Sequence, residues 1–143
     1  MYGPMSAEYG GSDHNIFESA LASEELGAGC VGIGICMDAN TLALTPLYIG
    51  ANDEQKKRLF GQINEEKSVA AYALTEPNAG SDVAGIKTQA ILHGDKYILN
   101  GHKRYITNGS ASSFITVFAL TNPEKGARSL TAFVVPTDSP GVE

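Results

Sequence analysis

The first part of the chain has apolar residues at the spacing that is typical of an amphipathic helix. Asn15 can cap this helix, with Glu18 three positions later to complete a capping box. Gly27 and Gly29 are expected to end it. The apolar stripe between these signals comprises Ile16, Phe17, Ala20, Leu21 and Leu26.

A second helix is predicted after Asn52, because acidic residues occupy its first turn and basic residues lie toward its end. Gly61 is expected to close it. The run from Val31 to Ala51, between the two helices, is ambiguous: its early alternation favours a strand, but its length is too great for one strand. Its one formal charge is Asp38. We expect a buried core segment and no membrane span, because polar residues and Pro46 interrupt the run.

After Lys67 the pattern changes to short runs of β-branched and aromatic residues that are separated by turn residues. Asn100-Gly101 gives the strongest hairpin signal. The predicted fold class is therefore α+β, with a helical segment over residues 1–66 followed by an antiparallel β-domain over residues 67–143. The predicted strands are Val69–Thr75, Lys87–Leu92, Lys96–Leu99, Arg104–Thr107, Phe114–Thr121 and Leu130–Val135.

Composition narrows the functional classes. The chain has 143 residues and a net charge of −6, with no stripe of basic residues, so we expect no nucleic-acid partner. Cys30 and Cys36 do not have a zinc or redox spacing; we expect two buried thiols and no metal site. The first residues, Met1 to Pro4, lack the features of a signal peptide, so secretion is not expected.

Two segments carry candidate chemistry. The turn at residues 78–81 follows the strand that ends at Thr75, and its N–H groups with the Ser81 hydroxyl could bind a phosphate or pyrophosphate. An ordinary loop is the alternative. Tyr105 and Thr107 are predicted on one side of a strand, where they could offer a ring and a hydrogen-bonding group to a planar heteroaromatic ligand. The alternative there is an ordinary cross-strand aromatic pair.

These segments resemble the signatures of one enzyme family. The run ALTEPNAGSDVAG, residues 73–85, is similar to the signature of the acyl-CoA dehydrogenases, and every fixed position is met. Residues 100–109, NGHKRYITNG, resemble the second family motif, usually N-G-x-K-x-W-I-T-N-G, with Tyr105 in place of the usual Trp. Segments at 8–11, 23–26 and 52–57 also follow the family's order, so the resemblance covers nearly the whole chain.

The resemblance implies FAD as cofactor and the oxidation of acyl-CoA thioesters to trans-2-enoyl-CoA. Thr75 would bond the pyrimidine edge of the flavin, Ser81 would meet the pyrophosphate beside the acyl-CoA, and Thr107 would lie near N5 or O4. Asp38 and Leu42 would line the acyl tail, as would Gly34 and Ile35. The residues implied in cofactor binding are Tyr72, Ala73, Leu74, Thr75, Gly80, Ser81, Tyr105, Ile106 and Thr107.

Family members are much longer, and their C-terminal helical domain supplies the glutamate base and most tetramer contacts. We therefore expect no catalytic residue in this chain and an inactive isolated chain; Glu76 is expected to be structural. The implied partners are acyl-CoA, an electron-transferring flavoprotein and further copies in a homo-oligomer. Bacterial cytoplasm or mitochondrial matrix is the implied location. A flavin oxidase or monooxygenase on the same scaffold, and a non-catalytic assembly domain without flavin, are the alternatives.

Overall fold

The structure, a computed structural model, describes residues 5–143. It has two helices, α1 (Ile16–Gly50) and α2 (Asp53–Glu66), followed by a sheet of five strands. The strands are β1 (Val69–Ala73), β2 (Gln89–His93), β3 (Lys96–Asn100), β4 (Ser112–Leu120) and β5 (Leu130–Pro136). The predicted α+β class is confirmed. The start of the chain, on which the expectation about secretion rests, lies outside the described residues.

Both helices begin as predicted. The Asn15 side chain accepts from the N–H of Glu18, and the Glu18 carboxylate accepts from the N–H of Asn15. Asn52 forms the same reciprocal box with Gln55 at the start of α2. The prediction that Gly61 closes α2 is wrong. Burial of the stripe of Leu59, Phe60 and Ile63 outweighs the cost of one glycine in the helix, about 1 kcal/mol.

α1 is two helical arms that fold back on each other. Cys30 has φ −162° and ψ 110°, so the helix breaks there, next to the predicted end. We call residues 16–29 the first arm and residues 31–50 the second arm. Ser23 Oγ donates to Asp38 Oδ1 at 3.0 Å, although 15 positions in a straight helix would span about 22 Å. A Cβ on Gly34 would lie 3.5 Å from the Gly27 nitrogen, so the arms meet closely there.

The ambiguous run is therefore a helix, and its second arm packs on the sheet. Asn40 Oδ1 accepts from the N–H of Ala70 at 2.7 Å, and Thr116 Oγ1 donates to the carbonyl of Ala43 at 2.9 Å. Cys30 and Cys36 are exposed, so the prediction of buried thiols is wrong: the apolar positions that pack are later in the arm. The core comprises Met5, Ala43, Leu44, Leu47, Leu59, Phe60, Ile63, Ala70 and Phe114.

Among residues 5–143, α1 alone is long and apolar enough to cross a membrane, judged by length and composition. This is weak evidence of a membrane span, because the core helices of soluble proteins share these properties. Asn40 and Ala43 pack on the sheet, but Val31, Ile33 and Ile35 are exposed, so the prediction of a buried core segment is wrong for the start of the second arm. The absence of a span stays a prediction.

The sheet is mixed, so the prediction of an antiparallel domain is wrong in this respect. β4 is parallel to β1 and, at the pair Gln89 and Leu120, to β2. It is antiparallel to β5, and β2 is antiparallel to β3. Five of the six predicted strands are present. The predicted hairpin at Asn100-Gly101 is wrong, because the turn is Gly94-Asp95, with Gly94 at φ +65°.

Candidate functional site

Two loops that are distant in sequence lie side by side at the end of β1. The N–H of Arg104 donates to the carbonyl of Thr75 at 2.9 Å. The Lys103 ammonium donates to the carbonyl of Leu74 at 2.9 Å and to Glu76 Oε1 at 2.8 Å. The two motifs singled out in the sequence therefore form one continuous region.

Glu76 is the buried centre of this junction. Its side chain is 8% exposed and that of Lys103 is 11% exposed. The carboxylate also accepts from the N–H of Lys87 at 2.8 Å, from the N–H of Thr88 at 3.0 Å and from the Thr88 hydroxyl. Burial on its own would raise the pKa of Glu76, but the hydrogen bonds from Lys103, Thr88 and Lys87 lower it from 4.5 to about 2. Glu76 therefore stays charged and structural.

A tight turn follows Glu76. The N–H of Glu76 donates to the carbonyl of Ala79 at 3.0 Å, and the N–H of Ala79 donates to the carbonyl of Glu76 at 3.2 Å. The N–H groups of Gly80 and Ser81, and the Ser81 hydroxyl, have no hydrogen-bond partner among residues 5–143. Three adjacent donors thus point to no protein acceptor in the described chain, which fits the predicted contact with a phosphate group.

The threonine hydroxyls divide into two sets. Seven of the nine threonines donate from the hydroxyl to a protein oxygen within the described chain; Thr75 and Thr107 have no such bond there. Both are half-buried. These two are the threonines predicted to bond the edge of a flavin ring. The seven with a protein acceptor are Thr41, Thr45, Thr88, Thr116, Thr121, Thr131 and Thr137.

The segment from Arg104 to Thr107 is not a strand, and that prediction is wrong. Tyr105 has φ +60° and Asn108 has φ +65°, which a strand does not accommodate. Tyr105 and Thr107 therefore do not share a strand face. The ring of Tyr105 is 80% exposed, and the Arg104 guanidinium lies 4.8 Å from its centre. An aromatic face is nevertheless open next to Ile106 and Thr107.

Two other predicted cofactor residues, Tyr72 and Ala73, are neighbours in β1 and therefore lie on opposite faces of the sheet. Tyr72 packs on Phe118 with ring centres 5.1 Å apart, and burial raises the pKa of its phenol. Ala73 lines a cleft of about 840 Å³ together with Tyr105 and Ile106. Leu74, Thr75, Gly80, Ser81 and Thr107 do not line this cleft. Thr75 and Thr107 therefore lie outside the lining of this cleft, although Ile106, the chain neighbour of Thr107, is part of it.

The residues predicted to line an acyl tail lie on the second arm of α1. Leu42 and Ile35 are exposed, and Asp38 accepts the Ser23 hydroxyl. Gly34 is buried against Gly27, so its small size serves the contact between the arms. Their role in substrate binding stays a prediction. Among residues 5–143 no three metal-binding side chains lie together.

The roles of four residues of this region were not predicted from the sequence. Lys103 and Thr88 donate hydrogen bonds to Glu76, and Asn40 and Asn108 form hydrogen bonds with the backbone of Ala70. Asn108 Nδ2 donates to the carbonyl of Cys36 at 2.9 Å and, at 3.5 Å, to that of Ala70. In the sequence, Asn108 stood out only as part of the motif at residues 100–109. The left-handed preference of asparagine was the available signal, but its partners are 72 and 38 positions away.

Two family models match the chain: the N-terminal domain of the acyl-CoA dehydrogenases over residues 1–67, and their middle domain over residues 71–143. The chain belongs to the acyl-CoA dehydrogenase family. It is 41% identical over 139 residues to a cyclohex-1-ene-1-carbonyl-CoA dehydrogenase of Geobacter metallireducens, covering 96% of this chain and 37% of the relative. It is 38% identical over 138 residues to a probable mitochondrial medium-chain specific acyl-CoA dehydrogenase of Caenorhabditis briggsae, covering 94% and 34%.

Solved structures agree in fold. A structure reported for the electron transferring flavoprotein of Acidaminococcus fermentans gives a TM-score of 0.91 at 40% identity, covering 98% of this chain and 37% of that one. The prolyl acyl carrier protein oxidase AnaB gives 0.90 at 39% identity, covering 98% and 38%. A glutaryl-CoA dehydrogenase of Mycobacterium smegmatis in complex with FADH2 gives 0.88 at 32% identity, covering 99% and 35%. The chain thus spans little more than a third of these proteins.

Proposed function

We propose that this chain supplies the flavin-contacting part of an FAD-dependent acyl-CoA dehydrogenase, which oxidises acyl-CoA thioesters to trans-2-enoyl-CoA. We assign residues 1–66 to its N-terminal helical domain and residues 67–143 to its middle β-domain. The observation that carries the proposal is the set of unbonded hydroxyls at Thr75 and Thr107, within the region joined by Glu76 and Lys103. Half-buried hydroxyls of this kind suit the polar edge of a ring.

The residues fit FAD by chemistry. Thr75 would donate to the pyrimidine edge of the ring and Thr107 to its N5 or O4 side, with Tyr105 and Ile106 against the ring face. The free N–H groups of Gly80 and Ser81 suit a pyrophosphate. FAD would accept the hydride that leaves the acyl chain. Fixed donors at the ring edges stabilise the negative charge of a reduced flavin.

The contacts of Glu76 support our proposal that it is not the base that removes the α-proton of the substrate. The Glu76 carboxylate is buried and accepts four hydrogen bonds, and its pKa is lowered to about 2. A general base must reach the proton it abstracts and must hold it. We propose that the base belongs to a part of the enzyme other than this segment, and that the 143-residue chain turns over acyl-CoA only at background rates.

Three substitutions test the flavin assignment, two at the proposed contacts and one as a control. Thr75→Val and Thr107→Val remove a hydroxyl that has no acceptor among the described residues, so stability changes by under about 0.5 kcal/mol while FAD affinity falls about tenfold. Thr121→Val removes a hydroxyl that donates to Ser129, so it costs about 1 kcal/mol of stability and leaves FAD affinity unchanged. FAD titration and urea unfolding measure both. Equal FAD affinity in all four proteins would reject the assignment.

The activity of the isolated chain is tested separately. With octanoyl-CoA, FAD and an artificial electron acceptor, we expect no turnover above that of free FAD. Sustained reduction of the acceptor would contradict the assignment of the base to another segment, but it would leave the flavin assignment intact.

Acyl-CoA, an electron-transferring flavoprotein and further copies of the enzyme are the proposed partners, in bacterial cytoplasm or mitochondrial matrix. One similar structure is named an oxidase, so a flavin oxidase on this scaffold is the second candidate. The products distinguish the two: the complete oxidase would produce hydrogen peroxide under air, whereas the complete dehydrogenase would reduce a flavoprotein partner.

A further inference from the structure

Three segments of the predicted site converge on one residue, Ala70 in β1. Its N–H donates to Asn40 Oδ1 of the second arm at 2.7 Å. Its carbonyl accepts from Asn108 Nδ2 at 3.5 Å, and the same nitrogen donates to the carbonyl of Cys36 at 2.9 Å. Asn108 directly follows Thr107, and Asn40 lies between Asp38 and Leu42. The segment beside the proposed flavin and the arm beside the proposed acyl tail are therefore joined through β1.

The segment between Arg104 and Asn108 is held at both ends. At its start, Arg104 bonds the carbonyl of Thr75, and Lys103 bonds Glu76. At its end, the Asn108 amide is the contact with α1 and β1. Between these points the N–H groups of Tyr105, Ile106 and Thr107 have no acceptor among residues 5–143. The placement of this short stretch thus depends on its two ends.

We infer that Asn108 is a positioning residue, which fixes Tyr105–Thr107 relative to the second arm of α1 through its amide donor to Cys36 and Ala70. The inference rests on the proposed function only in so far as that function assigns Tyr105–Thr107 to the flavin. Asparagine tolerates the positive φ at residue 108. The hydrogen bonds that its side-chain amide donates indicate that the residue does more than allow the chain to turn.

Two variants separate the effect of the Asn108 amide donor from the effect of the backbone conformation at this residue. Asn108→Asp keeps the size of the side chain and its tolerance of positive φ, but it places an acceptor opposite two carbonyls. Asn108→Gly keeps the backbone permitted and removes the side chain. Lys67→Gly is the matched control, because Lys67 also has positive φ, at +49°, and its side chain has no hydrogen bond in the described chain.

Amide hydrogen exchange and NMR relaxation of the 143-residue chain give a readout without flavin. Gly109 and Ala111 donate to carbonyls at 106 and 108, and Arg104 reports on the other end. In both Asn108 variants we expect exchange at Gly109 and Ala111 to become about tenfold faster and order parameters to fall at Ile106 and Thr107, with Arg104 unchanged. Lys67→Gly should leave all of them unchanged. A wild-type pattern in Asn108→Asp, or a uniform rise over the whole sheet, would overturn the inference.

FAD titration of the same variants gives a second, spectroscopic readout. We expect about tenfold weaker FAD binding in both Asn108 variants and a changed visible absorption band of the bound flavin; a loss of global stability alone can weaken the apparent binding but does not change the band. Unchanged FAD affinity and spectrum beside altered exchange would also overturn the positioning role toward flavin. If the wild-type chain binds no FAD, the proposed function fails for the isolated chain, and the exchange pattern alone decides whether Asn108 fixes the segment.

Discussion

Lys103 Nζ lies 2.8 Å from Glu76 Oε1 and joins two loops that are 27 positions apart. The same ammonium bonds the carbonyl of Leu74, so it is engaged on both sides of Thr75. Neither charge is more than about a tenth exposed. The pair therefore fixes the relative position of the two segments proposed to bind flavin, and its removal affects both.

Loss of the ammonium should be costly. Lys103→Met leaves the Glu76 carboxylate buried without its cationic partner, and we expect the free energy of unfolding to fall by about 3 kcal/mol. Urea unfolding followed by circular dichroism measures this. Lys96→Met, at an exposed lysine in the hairpin, is the control and should change stability by under about 0.5 kcal/mol. Equal effects of the two substitutions would show that the ion pair does not hold the loops.

The ionisation of Glu76 should give a defined dependence of stability on pH. Its pKa is about 2 in the folded chain against an ordinary value of 4.5, so its contribution is fully present above pH 4.5 and is lost as the pH falls toward 2. The shift corresponds to about 3 kcal/mol. In a plot of the free energy of unfolding against pH, Glu76→Gln should make the decline at acid pH less steep. Glu65→Gln, at an exposed carboxylate, should leave the steepness of that decline unchanged. A decline that keeps its steepness in Glu76→Gln contradicts the assignment.

Gly101 should tolerate no side chain. A Cβ at this position would lie well inside van der Waals contact with all side-chain atoms of Thr88, which also donates to Glu76. We expect Gly101→Ala to destabilise the chain by about 1–3 kcal/mol. Gly61→Ala, in the interior of α2 with open space around it, should instead stabilise by about 1 kcal/mol. Thermal unfolding of the two variants compares them, and a tolerated Gly101→Ala would mean that Thr88 is free to move away.

The two arms of α1 should depend on the size of residue 34. Gly34 is buried against Gly27, so Gly34→Leu should force the arms apart and cost about 1–3 kcal/mol. Gly32→Leu is the matched control two positions earlier, because Gly32 is exposed with only the Cys30 sulfur nearby, at 3.9 Å. The measurement is the unfolding midpoint in urea. Similar midpoints for both leucine variants would contradict a close contact at Gly34.

Local signals predicted the parts of the fold that depend on neighbours in sequence. The Asn15–Glu18 capping box, the start of α2 after Asn52 and five of six strands follow from residues only a few positions apart. Contacts between segments that are distant in sequence could not be predicted from such local signals. Gly101 was interpreted as a turn residue because its neighbour Thr88 is 13 positions away, and Arg104–Thr107 was interpreted as a strand because its composition does not reveal the positive φ of Tyr105.

For the candidate site, the motifs singled out two segments, and the structure brings those segments together through Arg104 and Thr75. The interactions that hold the two segments together could not be predicted from the sequence. Glu76 was expected to be structural, but only the packed chain brings its partner Lys103 to it. The motifs singled out Thr75 and Thr107, but only the structure shows that their hydroxyls, unlike those of the other seven threonines, have no acceptor among residues 5–143.

An NMR titration of the isotope-labelled 143-residue chain with FAD locates the flavin site, because even weak binding moves the resonances of contacting amides. If the two loops bind flavin, we expect shifts at residues 72–81 and 105–107, with little change in the hairpin of residues 89–100. Shifts concentrated in the hairpin, or no shifts at millimolar FAD, would contradict the flavin assignment.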